Sequence, residues 1–82
     1  MIRFWFKTCP RCKQGRLFIE KRKNDGQLFL HCEECELGWR VPSEVGAMDK
    51  SFLAIGTDSE YASKEDIETA DWGGVAKEVA TD

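Results

Sequence analysis

The sequence has a single histidine, two prolines and no apolar run approaching the ~20 residues that a membrane-spanning helix needs. Its opening stretch, residues 1–7, carries Arg3 and Lys7 and has no long apolar segment, so no signal peptide is expected. The expected compartment is therefore the cytoplasm, where thiols stay reduced. Glycine-rich phosphate loops and dinucleotide fingerprints are missing. No Ser-His-Asp set can be assembled around His31. These absences weigh against an enzyme and against a small-molecule substrate. At 82 residues the chain is enough for one small domain, and a core of that size commonly needs a staple.

Four cysteines supply a candidate staple. Cys9, Cys12, Cys32 and Cys35 follow the pattern Cys-x2-Cys-x19-Cys-x2-Cys. Two residues between thiols let one tight turn aim both sulfurs at a single ion, and two such turns complete a tetrahedron. Gly15 and Gly38 each lie three positions past the second cysteine of a pair, which suits a sharply reversing turn. Two disulfides, a redox Cys-x2-Cys and a four-thiolate iron site are the competing chemistries. A redox motif of that kind belongs in a βαβ context, and the pattern here is hairpin-like. His31 abuts Cys32 and is read as a hairpin residue, with a contact to a sulfur as the other option.

The local pattern supports strands around both turns. Residues 2–7 alternate, with Ile2, Phe4 and Phe6 on one side and Arg3, Trp5 and Lys7 on the other. Strands are expected at 16–22 and 27–31, joined through Asn24-Asp25-Gly26, a strong hairpin signal. Beyond residue 42 the pattern is thinner. Residues 51–55 read as a short strand or a core-packing segment, and Ser63 can cap a helix carrying Ile67 and Ala70 that stops near Trp72. Val75 and Val79, four apart, suggest a final helical turn.

The residues Cys9-Pro10-Arg11-Cys12 with Gly15 and Leu17, then Cys32-Glu33-Glu34-Cys35 with Trp39, resemble the zinc-ribbon family over residues 8–41. The resemblance implies antiparallel β-hairpins, two thiol knuckles and one structural Zn2+ on Cys9, Cys12, Cys32 and Cys35. The expected fold is a small α+β metal-stapled domain. A ribbon occupies 1–42. An acidic extension with a short strand and a C-terminal helix occupies 43–82 and packs on the ribbon. A closed four-thiolate site leaves no open position for catalysis.

Charge is divided unevenly. Residues 1–42 carry nine Lys/Arg against five Asp/Glu, and residues 43–82 carry three against ten. Lys21, Arg22 and Lys23 at the hairpin tip could contact phosphate, or simply be solvated. Asp58, Glu60, Glu65, Asp66, Glu68 and Asp71 crowd together ahead of Trp72, either as a solvated face or as a surface for a basic partner. In size, acidity and lack of catalytic residues the chain looks like bacterial immunity proteins that occlude a basic toxin nuclease. That reading expects a basic protein partner and no membrane. The alternative is a nucleic-acid-binding or transcription-associated ribbon.

Overall fold

The computed structural model describes residues 2–80, with Ala80 described by its backbone alone. Seven strands form one antiparallel sheet: β1 Ile2–Thr8, β2 Arg16–Arg22, β3 Leu28–Cys32, β4 Leu37–Trp39, β5 Phe52–Leu53, β6 Ser59–Tyr61 and β7 Lys77–Ala80. Their order is β5-β4-β3-β2-β1-β7, with β6 paired to β2. The only α-helix among the described residues is α1, Lys64–Thr69. Short 3-10 turns occupy Pro42–Glu44, Met48–Lys50 and Ala54–Gly56.

The strand alternation separates two faces. On one face Ile19, Leu30 and Trp39 stand opposite one another across β2, β3 and β4, all fully buried. Phe4, Leu17, Leu28, Cys9 and Cys32 complete this core, and Ala62 and Ile67 close it from above. Burying each large apolar side chain contributes about 1.5–3 kcal/mol. Trp39 also donates its indole N–H to the Ala47 carbonyl (3.0 Å), which pins the 42–50 segment over the core. On the opposite face one row runs Lys77, Trp5, Phe18, His31, Gly38, Phe52 across six strands.

A bulge in β1 lies between Trp5 and Thr8, where the register with β2 shifts by one residue. Trp5 pairs with Phe18, and Thr8 pairs with Arg16. The extra residue inverts the alternation, so the chain enters Cys9 on the buried side although Trp5 lies on the open side. Without it, Cys9 would share the open face with Trp5.

The hairpin between β2 and β3 turns at the expected residues. Gly26 has φ +74°, and a Cβ there would meet nothing, so backbone freedom is what the position requires. Asp25 accepts the Gln27 N–H (3.0 Å) and pairs with Arg22. The Ser63 cap is present as a reciprocal pair with Asp66: each side chain accepts the other's backbone N–H.

The end of the chain departs from expectation. The helix stops at Thr69, a turn earlier than its apolar spacing suggested, and the last described element is a strand. Val75 lies in a turn and Val79 in β7, which hydrogen-bonds to the outer edge of β1. A four-residue helical spacing is a weak local preference, and an open strand edge offers a full ladder instead. Residues 81–82 of the expected acidic extension lie outside the described residues.

Candidate metal centre

The two thiol turns meet at the end of the β1–β2–β3 sheet. Cys9 follows β1 and Cys32 ends β3, and both are fully buried, while Cys12 and Cys35 are half-buried. Leu17 pairs with Cys32 across β2 and β3, which fixes one knuckle against the other. The backbone loop closes through Cys9 N–H to Gly15 O (2.8 Å) and Lys13 N–H to Cys9 O (2.9 Å).

All four sulfurs lie within 4.8 Å of one another. Cys9 Sγ is 3.8 Å from Cys35 Sγ, and Cys12 Sγ is 3.5 Å from Cys32 Sγ. A metal–sulfur bond of about 2.3 Å places tetrahedral sulfurs about 3.8 Å apart. A disulfide would bring a pair to about 2.05 Å. The cluster is therefore arranged to hold one metal ion and is not disulfide-bonded.

Backbone amides complete the cradle. Gly15 N–H donates to Cys12 Sγ (3.5 Å), and the N–H groups of Glu34 and Cys35 donate to Cys32 Sγ (3.4 Å each). Such donors stabilise thiolate charge. The amides of Gly15 and Gln14 pull the Cys12 thiol down to about 6. Burial has the opposite effect at Cys32, pushed up to about 12, and raises Cys35 as well. Thiolates this close repel one another and are costly to bury, and a bound cation removes both penalties.

The two glycines act differently from the expected way. The left-handed residues of the knuckles are Lys13 (φ 60°) and Glu36 (φ 66°), each directly after its second cysteine. Gly15 is required by proximity: a Cβ there would stand 2.7 Å from Cys32 Sγ and 2.9 Å from Glu34 Cβ. At Gly38 a Cβ would meet Phe52 Cζ at 2.9 Å and Leu30 O at 3.0 Å.

His31 does not face a sulfur. Its Nδ1 is 2.9 Å from Glu20 and its Nε2 is 3.1 Å from Glu36. Glu20 foremost, with Glu36, raises its pKa above the ordinary 6.5 against the opposing effect of burial.

The two charged patches face each other. Strand β6 lies along β2, so Lys21 reaches Asp66 (3.3 Å) and Glu60 (3.7 Å), and Lys23 reaches Asp58 (3.7 Å). Arg22 pairs with Asp25 at the hairpin tip. All three basic residues at the tip are thus engaged by carboxylates, three of them from the acidic stretch itself. Glu65, Glu68 and Asp71 are exposed and form no ion pair among the described residues. Trp72 is half-buried against the core.

Large apolar side chains are exposed in and around β5, within and just before the 51–55 segment expected as a strand or core piece. Leu53 is 71% exposed, Ile55 69% and Met48 50%. A short apolar segment reads equally well as core, and only its position at a sheet edge makes it surface. No helix among the described residues is long and apolar enough to cross a membrane. No protein-family model, curated protein or solved structure matches this chain.

Proposed function

We propose that this chain is a non-catalytic, zinc-stapled protein-binding module of the zinc-ribbon type, whose partner is a basic protein such as a toxin nuclease domain. The observation that carries the reading is the four-sulfur cluster. Four thiolates fill a tetrahedral ion, so the metal has a structural role and no position for substrate. Zinc suits four thiolates held by a rigid β framework, and iron in the same ligands is the outcome that metal analysis would expose.

The binding surface we favour combines the exposed Leu53, Ile55 and Met48 with the carboxylates left free by internal pairing, Glu65, Glu68 and Asp71. Exposed aliphatic residues at a sheet edge offer area for burial, and free carboxylates steer a basic partner. Asp58, Glu60 and Asp66 are already committed to Lys23 and Lys21, so they contribute less to this surface than sequence suggested. The same pairing lowers the weight of the phosphate-contact reading for Lys21, Arg22 and Lys23.

The test is direct. The zinc-loaded chain is co-purified with its partner, and affinity is then measured with the identified protein by calorimetry. Leu53→Asp with Ile55→Asp is expected to weaken binding at least tenfold, and Glu65→Lys with Glu68→Lys to slow association. Full affinity in both double variants contradicts the proposed surface. Hydrolytic activity that depends on the bound metal contradicts the non-catalytic role.

A further inference from the structure

We propose that the open face of the sheet around Trp5 is a binding site for single-stranded nucleic acid. This goes beyond the protein-binding reading and uses the opposite end of the sheet: β5 is one edge of the strand order, and β1 and β7 form the other.

The register assembles the site from four strands. Trp5 stands between Lys77 of β7 and Phe18 of β2. Phe18 meets Tyr61 of β6 edge-to-face, with ring centroids 5.8 Å apart. Cations cover this layer. Lys77 Nζ lies 4.9 Å from the Trp5 ring, the Arg3 guanidinium 4.0 Å from the Tyr61 ring, and the Arg16 guanidinium 5.0 Å from Phe18 and 5.9 Å from Trp5. Trp5 is half-buried and Tyr61 is 39% exposed, so both present ring surface to solvent.

The charge of this face differs from that of the chain as a whole. Arg3 and Lys77 form no ion pair among the described residues, and Arg16 pairs with Glu33 at 3.0 Å. Arg3 donates one hydrogen bond, to the Tyr61 hydroxyl (3.1 Å), and its buried Nε has no acceptor. The hairpin-tip cations, by contrast, each have a carboxylate partner. A patch with two cations free of ion pairs and with aromatic rings, whose carboxylates Glu33 and Glu20 are held by Arg16 and His31, suits an anion that also carries flat π-surfaces. Single-stranded nucleic acid has both: phosphates for Arg3, Arg16 and Lys77, and unstacked bases for the rings. A duplex hides its base faces, and an acidic peptide has none to offer. The cations do not block the rings. The guanidinium over Tyr61 is itself a planar group on which a base can stack, and the flexible Lys77 can move from ring to phosphate when a base takes its place.

The test uses the full zinc-loaded chain and fluorescence anisotropy at low salt, with a labelled homothymidine oligonucleotide, the same strand in duplex, and polyglutamate. The single strand is expected to bind best. With three phosphates engaged, the logarithm of its affinity should fall against the logarithm of salt with a slope of about −2. Trp5→Leu is expected to weaken binding at least about fivefold through loss of one stacked base. Lys77→Gln, an exposed change that leaves the core intact, should reduce the salt slope by about 0.7. Lys21→Gln with Lys23→Gln should change neither. Binding of the duplex or of polyglutamate as tightly as the single strand overturns the proposal, as does no binding at low salt. Unaltered affinity in both Trp5→Leu and Lys77→Gln overturns it too. Trp5→Leu and Lys77→Gln alter neither the β5 edge nor Glu65, Glu68 and Asp71, so in these two variants partner affinity is expected to stay unchanged and the two readings can fail independently.

Discussion

Replacing Gly15 by alanine tests the metal centre with a single methyl group. The added carbon would stand 2.7 Å from Cys32 Sγ and 2.8–2.9 Å from Glu34 Cγ and Cβ. Contacts that short cannot persist, so something must move. Cys32 is fully buried and fixed by its pairing with Leu17, and its sulfur accepts the Glu34 and Cys35 N–H groups. The strain therefore falls on a metal ligand. Overpacking of this kind costs about 1–3 kcal/mol, which at about 1.4 kcal/mol per decade is about 5- to 150-fold in metal affinity. Competition with a chromogenic chelator measures the loss. The cobalt-substituted protein gives a second readout, because a displaced thiolate shifts the ligand-field bands. Gly74→Ala is the control, since a Cβ there meets nothing within 4 Å. Gly38→Ala is the contrast: it crowds Phe52 and Leu30, destabilises the sheet and leaves the cobalt spectrum as it was. Wild-type affinity and spectrum in Gly15→Ala would mean that this position does not constrain the Cys32 sulfur.

Three further outcomes follow from the same geometry. Cys9→Ser or Cys32→Ser should unfold the N-terminal half, because structural zinc in small peptides contributes about 10–16 kcal/mol, and the loss would appear as collapsed amide dispersion in NMR spectra. Metal affinity should fall as pH is lowered, because protons compete for the thiolates. Burial keeps Cys32 and Cys35 protonated at neutral pH without metal, while the Cys12 thiol, drawn down to about 6, is already ionised. At least two protons should therefore leave per ion bound near pH 7.5, rising toward four if the metal-free chain is unfolded, and calorimetry in buffers of different ionisation enthalpy counts them. A count below two is inconsistent with these environments. Trp39→Phe should cost roughly 1–3 kcal/mol in denaturant unfolding of the zinc-loaded protein, from the unsatisfied Ala47 carbonyl and the lost ring volume.

Much of the N-terminal half was legible because its signals are local. The thiol spacing, the Asn24-Asp25-Gly26 turn and the alternation at residues 2–7 each act within a few residues, and so does the Ser63–Asp66 capping pair. What sequence did not reveal depends on distant parts of the chain. Gly15 looked like a turn residue, yet its constraint is the Cys32 sulfur seventeen positions away. Val75 and Val79 carried a helical spacing that the open edge of β1 overrode. The basic tip and the acidic stretch looked like two independent surfaces until β6 aligned them on β2, where Lys21 and Lys23 meet Glu60, Asp66 and Asp58. Likewise Trp5, Phe18, Tyr61 and Lys77 share no motif, and only the strand order gathers them.

The central claim is that four cysteine sulfurs hold one structural zinc. X-ray absorption at the zinc edge, on protein whose metal content has been measured, tests it most directly. The expected result is one zinc per chain with four sulfurs at about 2.3 Å and no nitrogen or oxygen ligand. A first shell containing fewer than four sulfurs would contradict it, as would a chain that folds fully without metal and takes none up.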